Sequence, residues 1–262
     1  MHKLIGNFLL DLDKDNPNLK VKNKSSNTKA AVLVETRANF WLKPVMKNFR
    51  YFLGEEWNFY VFYAPKIESY IKKELEDWDI NMMPLRDESL FNPVGNMKID
   101  NYNDLLTRYD FWKQFKEEKI LIYQLDTVLF KKGIEEFLEY DYIGAPCGLR
   151  ADQMNGGLSL RNRDTCLDIL ELFGNYRQAT IADPPYWIFN AEDVFYSKGL
   201  DMLAKAKNYN LPDIVDRIKF SFETYTYDSL DPSIRPKEPY LPLGMHGTDK
   251  FQVPEEIIEG FF

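Results

Sequence analysis

The sequence predicts an α/β layered fold, a single domain with a central mixed sheet flanked by helices. Two observations predict it. Short apolar runs rich in β-branched and aromatic residues alternate with segments of helical period. The 262 residues, 45% of them hydrophobic, are also enough to bury one large core, and no internal repeat or linker divides them.

The elements follow in order. "AVLVET" (31–36) reads as a buried strand, "LKPVMKNFRYFL" (42–53) as a helix that tolerates Pro44 in its first turns, and "WNFYVFY" (57–63) as a second strand. "KIESYIKKELEDW" (66–78) has helical apolar spacing. "YNDLLTRYDFWKQF" (102–115) places Leu105, Tyr109, Trp112 and Phe115 near one helical face, with Trp112 as a core residue. A strand, "KILIYQ", follows directly. Then come a short helix "IEEFL", a strand "YDYIGAP", a glycine-hinged strand "NGGLSLRN" with Arg161 at its rim, and a helix over 163–173. Helices are expected near 192–207 and 212–218, ahead of a stretch holding Pro232, Pro236, Pro239 and Pro242.

Composition excludes several function classes. A formal charge of -8 argues against a general affinity for nucleic acid or acidic lipid, which require clustered Lys and Arg, so an anionic ligand has to be met locally. Cys147 and Cys166 lack metal-ligand spacing and read as reduced packing residues, with a disulfide as the minor alternative. Residues 1–29, charged and Asn-rich after a short apolar stretch, read as an irregular lead-in without a signal cleavage site. No run approaches the roughly 18 apolar residues of a membrane span, so a soluble, cytoplasmic protein is expected.

The chemistry starts at "LIYQLDTVLF" (121–130), where an apolar strand stops at Asp126, a lone acid. In open α/β sheets, ligands sit beyond the carboxyl ends of the strands. A carboxylate there can hold a divalent cation whose other face meets phosphate oxygens, or it can simply start a turn or cap a helix.

Five strings bear on that choice: "QLD" (124–126), "FLEYDYIGAP" (137–146), "NGGLSLRN" (155–162), "EDVFY" (192–196) and "MHG" (245–247). In this order they resemble GT-A-type nucleotide-sugar glycosyltransferases, most closely a family whose members carry QxD, YDYIGAP, NGGLSLR, EDVFF and a late histidine. With "AVLVETR" and "YNDLLTRYDFW" upstream, the resemblance spans about residues 30–252. It implies a GT-A-like (Rossmann-like) glycosyltransferase domain there, with residues 253–262 as a tail.

The resemblance also implies roles. Gln124 stands where the wider fold has the first acid of a D-x-D pair, leaving Asp126 as the acid of that motif on a Mn²⁺ or Mg²⁺ ion, and His246 would complete the coordination. The donor would be a nucleotide-diphosphate sugar, UDP by default, lying over Thr36 and Arg37, with Arg108, Tyr109 and Trp112 in a segment that packs nearby. Gly156 and Gly157 would let the backbone approach sugar or phosphate, and Asn155 would offer its amide to sugar hydroxyls. Asp193 would be the general base of an inverting transfer, its ionised form favoured by the helix start, with Glu192 orienting acceptor or structure. Both acids also suit plain helix capping. The acceptor, a glycan, glycoprotein or glycolipid, would meet the aromatic loop "DPPYWIFN" (183–190) and the proline-rich segment.

Two other classes compete. Gln124 in the acid position makes a degenerate domain that binds a nucleotide sugar without turnover credible. A Rossmann oxidoreductase or P-loop NTPase is disfavoured because neither G-x-G-x-x-G nor G-x-x-x-x-G-K-[ST] follows the first strand.

Overall fold

A computed structural model describes residues 3–147, 150–181, 191–223 and 241–248. Its strands are β1 (Lys29–Glu35), β2 (Trp57–Tyr63), β3 (Asn81–Pro84), β4 (Lys119–Tyr123), β5 (Thr127–Leu129), β6 (Tyr142–Cys147), β7 (Arg150–Asn162), β8 (Ser221–Phe222) and β9 (Gly244–His246). The helices are α1 (Lys3–Asp15), α2 (Leu42–Leu53), α3 (Glu68–Glu74), α4 (Ile99–Leu106), α5 (Tyr109–Trp112), α6 (Arg163–Phe173), α7 (Tyr176–Ile181), α8 (Glu192–Lys207) and α9 (Ile214–Phe220). The expected α/β architecture is present.

Six strands form one sheet in the order β3-β2-β1-β4-β7-β6. The first four run parallel, and β7 lies antiparallel between β4 and β6, so the sheet is mixed. Side chains alternate across β1. Ala31 and Leu33 join a core under α1, α2 and α3, whereas Ala30, Val32 and Val34 join another that includes residues of α4, α5, α6 and α8. Burial on both faces is why β1 and β2 read as continuous apolar runs rather than alternating ones. A second sheet, β5-β9-β8, pairs Thr127 with His246.

Connectivity places the ligand crevice. From β1 the chain winds outward through β2 to β3, then returns to lay β4 on the other flank of β1. The order reverses between β1 and β4, and it is at such switch points, beyond the strand ends, that open α/β sheets leave a cleft. Here those ends are Glu35 and Tyr123.

Several expectations are corrected. Residues 3–15 of the supposed irregular lead-in form α1, whose Ile5, Leu9 and Leu12 are buried; polar residues on its outer face hid the apolar stripe. The single helix expected over 102–115 is two short ones. Thr107 Oγ1 donates back to Asn103 O at 2.9 Å and Arg108 turns extended (φ -91, ψ 132), which ends the first and rotates Tyr109 out to 41% exposure. Leu105, Trp112 and Phe115 are buried as expected. Arg161 is not at a rim: it is fully buried. The Cys166 thiol is free and buried.

Candidate active site

Beyond the ends of β1 and β4 lies a cavity of about 410 Å³ lined by Glu35, Thr36, Arg37, Lys98, Tyr102, Gln124 and Asp126 among others. The turn that follows β1 is built around Glu35. Its buried Oε1 accepts from the Thr36 and Arg37 backbone N–H groups, each at 2.8 Å, and from Arg37 Nε at 3.0 Å. Thr36 is thereby buried at the cavity wall while Arg37 stays largely exposed. Lys98 is exposed at the start of α4 and brings a second cation to the cavity, which the sequence reading missed because "GNMKID" carries no motif.

On the β4 side a tight turn carries Gln124, Leu125 and Asp126 into β5. Thr127 closes it, its N–H donating to Gln124 O at 3.2 Å and its hydroxyl to the same oxygen at 2.5 Å. Asp126 is therefore the third residue of a turn that Gln124 starts, and it also lines the cavity. His246 meets it from β9, with Nε2 3.7 Å from Asp126 Oδ1 and 3.3 Å from Gln124 Oε1. The imidazole is 6% exposed. Behind it, Nδ1 lies 3.4 Å from Glu223 Oε1, yet it has no aligned hydrogen-bond partner. Glu223 was also missed, since a lone acid after an amphipathic helix carries no sequence signal.

Among the described residues no group of three or more His, Cys, Asp or Glu side chains is placed to hold a metal ion. The donor set nevertheless fits a divalent cation that takes its remaining ligands from phosphate and water. A carboxylate oxygen faces an imidazole nitrogen, and a second carboxylate stands behind the other ring nitrogen, as it commonly does for ligating histidines.

Gly156 and Gly157 are both closely surrounded. A Cβ on Gly157 would sit 2.2 Å from His246 Nε2, and one on Gly156 would sit 2.2 Å from Glu192 Oε1 and 3.0 Å from Asp193 Cβ. The missing side chains admit protein groups: Gly157 makes room for His246, and Gly156 for the start of α8. Asn155 supports the same turn. Its Oδ1 accepts from Gly157 N at 2.8 Å and its Nδ2 donates to Glu223 at 3.2 Å.

Asp193 lies at the start of α8, its Oδ2 accepting from Gly156 N at 3.2 Å and its Oδ1 from Val194 N at 2.7 Å. Those amides and Arg161 favour ionisation. Burial and the adjacent Glu192 outweigh them, and the Asp193 carboxyl is pushed up to about 6. The helix-start amides act in the expected direction, but burial sets the balance. Glu192 is buried, and both of its oxygens are held by Arg161, at 2.7 Å and 3.1 Å, as the structural one of its two expected roles requires. Arg108 is engaged by Asp87 and Asp104. The aromatic loop 183–190, most of the proline-rich stretch and the tail 253–262 lie outside the described residues.

The family model described as a protein of unknown function (DUF5672) matches residues 85–246, well over half of the chain and every candidate residue from Gln124 to His246. The chain belongs to that family. No curated protein matches this DUF5672 member. Among solved structures it is similar to the galactosyltransferase LgtC in complex with donor and acceptor sugar analogues, with a TM-score of 0.51 at 11% identity, covering 88% of this chain and 95% of that one. It is also similar to the apo glycosyltransferase GlyE of Streptococcus pneumoniae TIGR4, with a TM-score of 0.49 at 16% identity. That match covers 90% of this chain but 61% of GlyE, so the DUF5672 chain spans less than two thirds of GlyE's length. The mouse xyloside xylosyltransferase 1 gives a TM-score of 0.49 at 12% identity, covering 86% and 99%. At these identities what is shared is the fold, and the LgtC match makes it that of the GT-A glycosyltransferases. No described helix is long and apolar enough to cross a membrane.

Proposed function

We propose that this protein is a glycosyltransferase that moves a sugar from a nucleotide-diphosphate sugar to a hydroxyl acceptor. The observation that carries the reading is the pair of consecutive glycines. Gly157 packs under His246, which faces Asp126, and Gly156 donates to Asp193, so the Asp126–His246 pair and the Asp193 carboxylate are tied to neighbouring residues of β7.

The nucleotide would lie in the cavity along Thr36, with Arg37 and Lys98 offsetting its phosphates. A Mn²⁺ or Mg²⁺ ion, when bound, would neutralise the leaving diphosphate, and Asp126 and His246 are the residues that would hold it. Asp193 would take the proton of the acceptor hydroxyl as that oxygen bonds to the anomeric carbon and the bond to the diphosphate breaks, inverting the centre. A carboxyl at about 6 is ionised at neutral pH and far more basic than an ordinary aspartate, as a general base requires. Gln124 favours a second reading: an amide faces His246 where the wider fold has an acid, which suits binding without turnover.

The test is the thermal stability of wild type and Asp126→Ala with UDP, GDP and CDP, with and without Mn²⁺. A nucleotide at 100 times its dissociation constant should add about 2.7 kcal/mol. The expected result is stabilisation by one nucleotide that needs the metal and is lost in Asp126→Ala. Binding that ignores both would sink the reading. Metal-dependent binding with no hydrolysis of any matching sugar nucleotide would favour the binding domain.

A further inference from the structure

The most deeply buried ion pair in the described structure lies directly beneath Asp193. Arg161 on β7 has no solvent exposure, and its guanidinium presents a two-pronged contact to Glu192, Nη1 to Oε2 at 2.7 Å and Nη2 to Oε1 at 3.1 Å. Nη2 also lies 3.4 Å from the Gly156 carbonyl, and Nε donates to Ser159 Oγ at 2.9 Å. Three rings box the cation, Tyr142 at 4.8 Å, Tyr196 at 5.3 Å and Trp112 at 5.8 Å. The box is itself pinned, because Trp112 Nε1 and the Tyr196 hydroxyl both donate to the Leu106 carbonyl.

Such a pair is a poor way to gain stability, since apolar residues of similar size often do as well or better. What it does provide is a fixed geometry. One guanidinium grips both ends of the frame around Asp193: the first residue of α8, through Glu192, and the carbonyl of Gly156, the residue whose N–H donates to Asp193. Gly156 cannot carry a side chain without striking Glu192 and Arg161, so the frame is closed on that side.

We infer that the Arg161–Glu192 pair is a positioning device for Asp193, holding its carboxylate on the Gly156 amide and setting the charge it experiences. Arg161 thus acts through Asp193, and the inference rests on Asp193 being the base. Among the described residues, the charged and titratable groups facing this carboxylate are Glu192 from its own helix, Arg161 from β7 and Tyr142 from β6.

The experiment follows the Asp193 side-chain carboxyl and the Gly156 amide by NMR through a pH titration of the full chain, with Asp193→Asn used for assignment. In wild type both signals should share one midpoint near 6. Glu192→Gln should lower that midpoint by removing the adjacent negative charge. Arg161→Lys keeps the charge but cannot span both Glu192 oxygens and the Gly156 carbonyl, so the midpoint should stay near that of wild type while the Gly156 response shrinks. The Arg161→Met/Glu192→Met double variant replaces the pair with apolar bulk and guards against misfolding of the single variants. If it melts cooperatively and Gly156 still reports an unchanged Asp193 midpoint, the positioning role is wrong. Failure of the base assignment would look different: Asp193→Asn would keep hydrolysing a metal-dependent sugar nucleotide whatever the titrations show.

Discussion

At the scale of single residues, Asp193 shows environment overruling type. A carboxylate at a helix start with two backbone donors would ordinarily titrate low, but burial beside Glu192 lifts it to about 6. A raised acid favours the fold in its neutral form. That contribution is fully present below the ordinary carboxyl range near 3.8 and is lost as pH rises through about 6. At pH 7.5 the ionised side chain therefore costs up to about 3 kcal/mol relative to a neutral isostere, at ~1.4 kcal/mol per unit. Asp193→Asn should be more stable than wild type in urea at pH 7.5, the difference should vanish near pH 4, and glycosyl transfer should be lost. A variant no more stable than wild type at pH 7.5 would mean the carboxyl is not raised.

At the scale of elements, α1 shows how much a helix can conceal. Its mean composition is unremarkable, but Ile5 and Leu9 are completely buried in the core shared with α2. Leu9→Ala should cost about 3 kcal/mol in equilibrium unfolding, as fully buried leucines do, whereas Leu10→Ala on the 43% exposed side should change stability by under about 0.5 kcal/mol. Equal effects of the two would place α1 off the core. The break between α4 and α5 makes the reverse point. Helical spacing through 102–115 was sound, yet the backbone turns extended at Arg108, just after Thr107 adds its hydroxyl to its own N–H on the Asn103 carbonyl, and periodicity does not register such a break.

At the scale of the whole molecule, the site is a junction of the two sheets. His246 on β9 reaches the β4 turn only because Gly157 on β7 lets the imidazole lie against its backbone. Gly157→Ala would place a methyl within 2.6 Å of three ring atoms, so the histidine or its strand must shift. We expect a loss of about 2 kcal/mol in stability, within the range for overpacking, together with loss of metal-dependent nucleotide stabilisation. Calorimetric titration with Mn²⁺ and the nucleotide selected by thermal shift checks this; unchanged binding would remove His246 from the site.

Local pattern determined the strands β1, β2 and β4, the helices α2, α6 and α8, and the presence of Asp126 in a turn beyond an apolar strand, because hydrophobic periodicity and strand ends are short-range properties. Gly156, Gly157, Asp193 and His246 were legible as candidates through their strings, but the reasons for them were not. Only the tertiary structure decided that the glycines admit His246 and Asp193, that Arg161 is a buried partner of Glu192, that Glu223 stands behind the imidazole, and that Asp193 titrates high. Burial and the approach of distant charges depend on which segments meet across the core, and for His246 and Gln124 that meeting spans 122 positions of chain.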